Sequence, residues 1–349
     1  MKKTLATLMA LAMILALAAC GGKSEPSAGN EKDSAGNTPA PAETYTFSIG
    51  MNSVEGDVPY YLAEFFKQAM EEKGGSAVEV NLYPGGQMGG DAELTENVMA
   101  GSLDFYCGNI SNTVPYVTAG AVLDEHWGFD DLAHFRRFID SDFMDELNNQ
   151  YKKSNIRIAA VCEVGMRHLL SNKKIEALED MAGLKVRVMQ NKHHIAAWEA
   201  LGAAPTPMDW GEVYVGLQQK MIDGVEQPYF FICSSKLYEV QDYMLETNHI
   251  AQPAALFMSE KVYQGLPAEI QALIDDCSEI ATQKTRETTD SMMADRLQEI
   301  KDHGVEVSQV TPELLAEMRE RVAPATELIK QDVGEEFFNA YAAARDAAR

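Results

Sequence analysis

The chain has 349 residues, is 46% hydrophobic and 8% aromatic, and carries a formal net charge of −24. That composition is the one expected of an ordinary globular protein. The acidity argues against nucleic acid or an anionic lipid face as a partner. It also means that any anion site has to be a local cationic feature inside a negative protein.

In chain order, Lys2 and Lys3 precede an apolar run of about 15 residues, Leu5 to Ala19. A run of that length fits a secretory signal and is short for a membrane span. It ends in Leu-Ala-Ala-Cys at Cys20, where small residues beside a thiol suit cleavage and lipid attachment. Residues 1–19 are therefore expected to be a lipoprotein signal peptide and Cys20 the lipidated residue. Residues 20–43 contain no large apolar side chain and cannot bury enough surface to offset ordering. They are expected to form a disordered linker reaching roughly 25 Å. No later run approaches the length of a span. The site predicted is an exported protein, periplasmic or lipid-anchored to the outer face of the cell membrane.

The body, about 305 residues, is long enough for two lobes. Tyr45, Phe47, Ile49 and Met51 alternate with polar residues, which predicts a strand. Pro59 opens a helix that Gly74 and Gly75 stop. Val78 to Tyr83 is a second strand, broken by Pro84-Gly85-Gly86. A short helix from Asp91 to Gly101 and a strand from Leu103 to Gly108 follow. This β-α-β-α-β order predicts a parallel sheet with helices outside.

The pattern restarts with strands at Ile156–Cys162 and Leu184–Met189, helices at 192–201 and 211–221, and strands at Tyr243–Asn248 and Ala254–Ser259. From Pro267 to His303 neither Gly nor Pro intervenes. Either two helices meet near Thr285–Thr289, or one helix of on the order of 50 Å crosses both lobes; the second is favoured. Pro312 starts another helix that Pro324 is expected to interrupt, and an Ala-rich tail ends the chain.

Catalytic patterns are sparse. There is no Gly-x-Ser-x-Gly and no His-Glu-x-x-His, and the glycines from Gly85 to Gly90 lack dinucleotide spacing, so a flexible loop at a cleft edge is expected. His193 and His194 are sequence neighbours on a helix, about 100° apart, and cannot share a metal. The histidines are expected to be solvated or capping, and no metal or cofactor is expected. Cys107, Cys162, Cys233 and Cys277 could form up to two disulfides, with buried thiols favoured.

One cation stands out. In Leu184-Lys-Val-Arg-Val-Met189, Arg187 sits in the middle of a core strand, where its burial is costly unless an anion meets it. A guanidinium can grip a carboxylate through two parallel hydrogen bonds. A structural salt bridge would satisfy it equally well.

The ordered motifs around Arg187 add to this. Asp180-Met-Ala-Gly-Leu-Lys-Val-Arg-Val188, Leu201-Gly-Ala-Ala-Pro-Thr-Pro-Met208, Glu212-Val-Tyr214, Asp223-Gly224 and Glu226-Gln-Pro228 resemble the solute receptor of tripartite ATP-independent periplasmic (TRAP) transporters, DctP-type. Tyr83-Pro-Gly-Gly-Gln-Met-Gly89, Gly101-Ser-Leu-Asp-Phe105 and Thr247-Asn-His249 extend the resemblance over about 45–310.

The resemblance implies an α/β, two-lobed periplasmic-binding-protein (class II-like) fold, with a ligand cleft between the lobes and a long helix crossing both. Lobe I would be 44–164 plus 250–290, and lobe II 165–249 plus 291–349. It implies Arg187 as the carboxylate anchor, Arg167 beside it, and Trp210 as an aromatic platform suited to a sugar ring. Asn52 and Asn109 are implied as cleft residues. Gln227 replaces the family's frequent Asn, and the strand runs on through Met-Gln-Asn191 where Pro is common, which points Gln190 or Asn191 into the cleft.

The expected function is a monomeric receptor that binds a small organic acid, a sugar acid or C4-dicarboxylate, and passes it to TRAP membrane permease subunits. An exported hydrolase or lyase of sugar acids is the alternative, and a ligand-free adhesin or sensor module a third.

Overall fold

The computed structural model describes residues 44–349; the signal peptide expected at 1–19, the linker expected at 20–43 and Cys20 lie outside them. The chain opens with β1 (Tyr45–Gly50), α1 (Val58–Gly74), β2 (Val78–Tyr83), α2 (Asp91–Ala100) and β3 (Phe105–Asn109). A 3-10 stretch at Thr118–Asp124 leads to α3 (Leu132–Ile139), α4 (Phe143–Lys152) and β4 (Ile156–Met166). Next come β5 (His168–Ser171), β6 (Val186–Val188), α5 (Lys192–Ala200) and β7 (Thr206–Pro207). They are followed by α6 (Val213–Gln218), β8 (Gly224–Gln227), α7 (Tyr229–Ser234) and β9 (Tyr243–Glu246). The chain returns through β10 (Ala251–Ser259), α8 (Glu260–Gly265) and α9 (Ala268–Asp302), and ends in β11 (Glu306–Gln309), α10 (Pro312–Val333) and α11 (Glu335–Ala347).

Two sheets result, in the orders β2-β1-β3-β10-β4 and β11-β9-β5-β8-β6-β7. The first is mixed, not parallel as its opening order implied. β1 runs parallel to β2 and β3, but β10 pairs antiparallel with both β3 and β4. The reason is topological: β4 carries the chain out of the first sheet and β10 brings it back alongside. β10 is buried along its whole length, as befits a strand covered on both faces. The second sheet is also mixed, with β6 parallel to β7 and β8, and β5 antiparallel to β8 and β9.

The long helix is single. α9 runs unbroken over 35 residues. Ile270, Ile274, Cys277 and Ala281 join the first lobe's core, whereas Ile300 joins the second's. At the suspected break, Thr285 and Thr289 donate to the carbonyls of Ala281 (2.7 Å) and Thr285 (2.8 Å), so their hydroxyls are satisfied within the helix. Arg136 and Arg286 both reach the buried Glu163 (2.6 and 3.0 Å), and Arg136 also pairs with Asp290 (2.8 Å), tying the middle of α9 to β4 and α3.

Two expectations at the C-terminal end are corrected. Pro324 does not interrupt its helix; α10 continues through it. A proline there costs about 3 kcal/mol, and the buried face of Leu314, Met318, Val322, Ala325 and Ile329 carries the helix across. Residues beyond 334, expected with the second lobe, bury their aromatic face in the first. Phe337 and Tyr341 of α11 lie in the first lobe's aromatic cluster, with ring centroids 5.3 Å (Phe143–Phe337) and 5.6 Å (Phe138–Tyr341) apart. Gly334, at φ +87°, makes the turn that sends the chain back. The four cysteines are buried free thiols.

Candidate functional site

The two sheets meet where β4 leaves and β10 returns. There the backbone N–H of Arg167 donates to Ile250 (2.8 Å), and that of His249 donates to Arg167 (3.3 Å). Arg167 is wholly buried, and its guanidinium is fully engaged. Nη2 donates to Glu226 Oε1 (2.7 Å) and to the Glu226 carbonyl (2.6 Å), Nε to Glu226 Oε2, and Nη1 to Gln252 Oε1. His249 Nε2 lies 3.0 Å from Glu226 Oε2. Burial alone would raise the Glu226 carboxyl. The charge of Arg167, with hydrogen bonds from His194, His249 and Arg167, holds it well below the usual range.

Arg187 presents the opposite case. It is 3% exposed on β6, and Nε and Nη2 both donate to the Met208 carbonyl (2.9 and 2.7 Å). Among the described residues no carboxylate lies within 4 Å of it, so the structural salt bridge that would satisfy it is not made. Burial lowers its pKa to about 10, against the opposing pull of Glu226. Its charge sits 5.5 Å over the Trp210 ring, which meets Phe231 edge-on at 5.4 Å.

Both arginines line one cavity between the sheets, together with Asn52, Asn109, Trp210 and Gln227. Its volume is about 40 Å³, room for roughly three water molecules. The wall residues are fixed locally. Asn52 follows β1 and is wrapped by the Gly85-Gly86 turn, whose N–H groups donate to Ser53 (3.1 Å) and Met51 (3.0 Å). A Cβ on Gly86 would stand 2.9 Å from Asn52 Oδ1, and both glycines have positive φ. The glycine run is thus a specified turn that shapes one wall, not a loose loop. Asn109 Oδ1 accepts from Ser111 N–H (3.1 Å), and its amide faces Met189 Sδ (3.7 Å) across the cleft. Gln227 Oε1 is buried without a hydrogen-bond partner among the described residues, and the Asn52 amide sits against Asp91.

Asn191 departs from its expected place and does not line the cavity. It is the N-cap of α5, accepting from His193 N–H (3.0 Å), and its amide donates to Ser111 O (3.1 Å) and Asp124 Oδ2 (2.7 Å). Capping a helix that faces the first lobe turns the side chain toward that lobe instead of the cavity.

Some residues of the site escaped the sequence. Asp91, in the first turn of α2, lines the cavity and accepts from Tyr106 OH (2.8 Å). Burial raises its pKa, opposed by hydrogen bonds from Tyr106 and Asn52 and by the Arg187 charge, while Asp209 adds to the rise. Six of the seven histidines, expected to be solvated or capping, are buried instead; His303 is exposed. His194 Nε2 pairs with Asp124 across the lobes (3.1 Å), and His126 stacks on His249 at 5.2 Å. Burial works against the charged His194, but Asp124 and Glu226 raise its pKa to about 9. These groups come from separate segments spread between Asp124 and His249, and nothing in their spacing signals the cluster.

Comparison with known proteins agrees with this architecture. The model of the bacterial extracellular solute-binding proteins, family 7, matches residues 49–332. The chain belongs to that family, the solute receptors of TRAP transporters. It is similar to the sialic acid-binding periplasmic protein SiaP of Vibrio cholerae, at 27% identity over 85% of this chain and 92% of the relative. It is also similar to the C4-dicarboxylate-binding periplasmic protein DctP of Vibrio cholerae, at 29% identity over 80% and 83%. A TRAP periplasmic solute-binding protein from Polaromonas, solved with D-erythronate, superposes with TM-score 0.81 at 28% identity, over 86% of this chain and 99% of that one. Family members are receptors, and no helix of the described residues is long and apolar enough to cross a membrane.

Proposed function

We propose that this receptor captures a small organic acid by its carboxylate at Arg187 and delivers it to TRAP membrane permease subunits. The observation that carries the reading is the buried Arg187 guanidinium, which has no carboxylate partner among the described residues and lines the inter-lobe cavity. Leaving such a charge unpaired costs several kcal/mol, and an incoming carboxylate supplies the missing partner. Arg167 contributes by shaping the hinge wall, since its donors are committed to Glu226 and Gln252. Trp210 backs the Arg187 charge, and Asn52, Asn109 and Gln227 sort ligands by their polar groups. Asn191 acts one step away, by holding α5 against the first lobe.

A cavity of about 40 Å³, with room for roughly three water molecules, is tight for an organic acid of four or more carbons. Entry therefore requires the walls to part, with 44–164 and 250–290 moving against 165–249 and 291–334 about the β4 and β10 crossings. Closure over the ligand then creates the surface that the permease reads. Relatives that bind sialic acid, 2,3-diketo-L-gulonate and C4-dicarboxylates support the carboxylate class. We further infer that the chain is exported and works as a monomer tethered through a lipid on Cys20. Labelling with an alkyne fatty acid tests this, and Cys20→Ser is expected to lose the label.

The central test is calorimetry and thermal shift with organic acids on wild type and Arg187→Ala. The variant is expected to lose at least a hundredfold in affinity while remaining folded. Unchanged binding in Arg187→Ala would remove the anchor.

A further inference from the structure

A larger opening lies away from the inter-lobe cavity, among residues 140–161 and 275–286. It is a groove of about 510 Å³ between α4, the edge strand β4 and the first half of α9. On α9 its wall is Asp275, Ser278, Glu279, Thr282 and Arg286, positions i, i+3, i+4, i+7 and i+11 of one helix face. Ala159 and Val161 of β4 line it with small apolar side chains, and Met144 and Asp145 face it from α4. Ser278 is 4% exposed, and its hydroxyl has no hydrogen-bond partner among the described residues. Three other hydroxyls of α9 behave differently: Thr285, Thr288 and Thr289 each donate to the carbonyl four residues earlier (2.7, 2.9 and 2.8 Å).

The charges of the groove narrow what it can hold. Arg286 is committed to Asp140 (2.7 Å) and Glu163 (3.0 Å), so an anion finds no free cation on this wall. Asp145 and Glu279 have no cationic partner among the described residues, and Asp275 takes only a hydrogen bond from Tyr263 OH (2.7 Å). These carboxylates are spread over two walls, and no group of three or more metal-ligating side chains among the described residues could hold a metal ion. A peptide strand would need the open edge of β4. Asn148 occupies that edge at Ile158, accepting from its N–H (2.8 Å) and donating to its carbonyl (3.0 Å). Glu163 is held by Arg136 and Arg286, so only 159–162 lie between the two obstructions. What fits is a thin aliphatic chain with cationic groups spaced along it.

We propose that this groove is a second binding site, separate from the organic acid cavity, and that it takes a linear polyamine. The methylenes lie along Ala159 and Val161. One ammonium meets Asp145 of α4, another meets Glu279 and Asp275 of α9, and an N–H of the chain donates to the Ser278 hydroxyl.

The test is isothermal titration of the mature receptor with spermidine, putrescine, butylamine and Mg²⁺ at pH 7 and low ionic strength. Spermidine is expected to bind one to one, tenfold or more tightly than butylamine or Mg²⁺, and to weaken as salt is added. The double variant Asp145→Asn with Glu279→Gln is expected to lose tenfold or more in spermidine affinity, and Ser278→Ala at least threefold. Asp276→Asn removes the same charge from α9 outside the groove, where Asp276 pairs with Lys73 (3.5 Å), and is expected to leave the affinity unchanged. Arg187→Ala is expected to leave it unchanged as well, because the two sites are separate. The absence of saturable binding overturns the proposal, and so does Mg²⁺ matching spermidine, which would be diffuse screening of an acidic protein. An unchanged affinity in the double variant, or Asp276→Asn weakening binding as much as Glu279→Gln alone, places the polyamine elsewhere and overturns it too. A lysine-rich peptide that binds more tightly than spermidine and displaces it would make the groove a protein-docking site instead.

Discussion

Arg167, at the crossing between β4 and β5, and Arg187, on β6, line the same cavity and are both buried, yet the protein treats them differently. Around Arg167 the folded chain supplies the counter-charge: Glu226 takes two of its nitrogens, Gln252 a third, and His249 closes the network from the other side. Around Arg187 it supplies only the Met208 carbonyl and an aromatic face. The first region is a finished ion pair that holds the crossing between the sheets. The second is left without a carboxylate, and under the proposed function an arriving anion would offset the cost of burying that charge. Charge burial by itself does not mark a ligand site; an incomplete partner set does.

The contrast can be broken most directly at Glu226. Glu226→Ala strands a buried Arg167, so an unfolding free energy lower by about 3–5 kcal/mol is expected. Urea titration reads it, and a loss under 1 kcal/mol would mean that the network is not structural. Arg187→Met should behave in the opposite way. Removing an unpaired buried cation is expected to leave stability unchanged or raise it by about 1 kcal/mol while abolishing the ligand response. A large destabilisation would place Arg187 with Arg167 as a structural residue.

Two pH effects sharpen the comparison at the lobe contacts. His194 has a folded pKa raised from 6.5 to about 9 by Asp124 and Glu226 against the effect of burial. Its contribution is complete below 6.5 and is lost as pH rises through 9. The melting temperature should therefore fall between pH 7 and 9, and His194→Gln should flatten that fall. Asp57, just before α1, reaches the second lobe, accepting from Ser234 OH and from Val54 N–H (3.0 Å). Burial raises its pKa from 3.8 to about 7. The native state thus holds a proton that the unfolded chain has released, and stability declines as pH climbs from about 4 to 7. Asp57→Asn is expected to remove that decline and to melt a few degrees higher at pH 8. An unchanged pH profile would remove Asp57 from the titrating groups.

Much of the fold was legible because its signals are local. The alternation of Phe47 and Ile49, the helix spacing of Leu62, Phe66 and Met70, and the unbroken run to Asp302 each reflect one element burying one face. Signals failed where packing outvoted propensity, as at Pro324, and where partners were distant, as for α11 on the Phe135–Phe143 cluster. Of the site, Arg187 was readable because a cation in a core strand violates the strand's own pattern. Asp91 was not, since an acidic residue in the first turn of a helix is what any helix prefers.

The sequence by itself determined the opening strand-and-helix order, favoured the single long helix and set Arg187 apart as a cation in a core strand, all from periodicity and residue chemistry within short windows, while its ordered motifs resembled the family. Only the tertiary structure decided which of two buried arginines was left without a carboxylate, that Asn191 caps a helix outside the cavity, and that Asp91 faces Arg187 inside it. Those outcomes depend on distances between segments that the chain brings together only by folding, because burial and partner geometry set the free energy of a charge and neither is written in its neighbours along the chain.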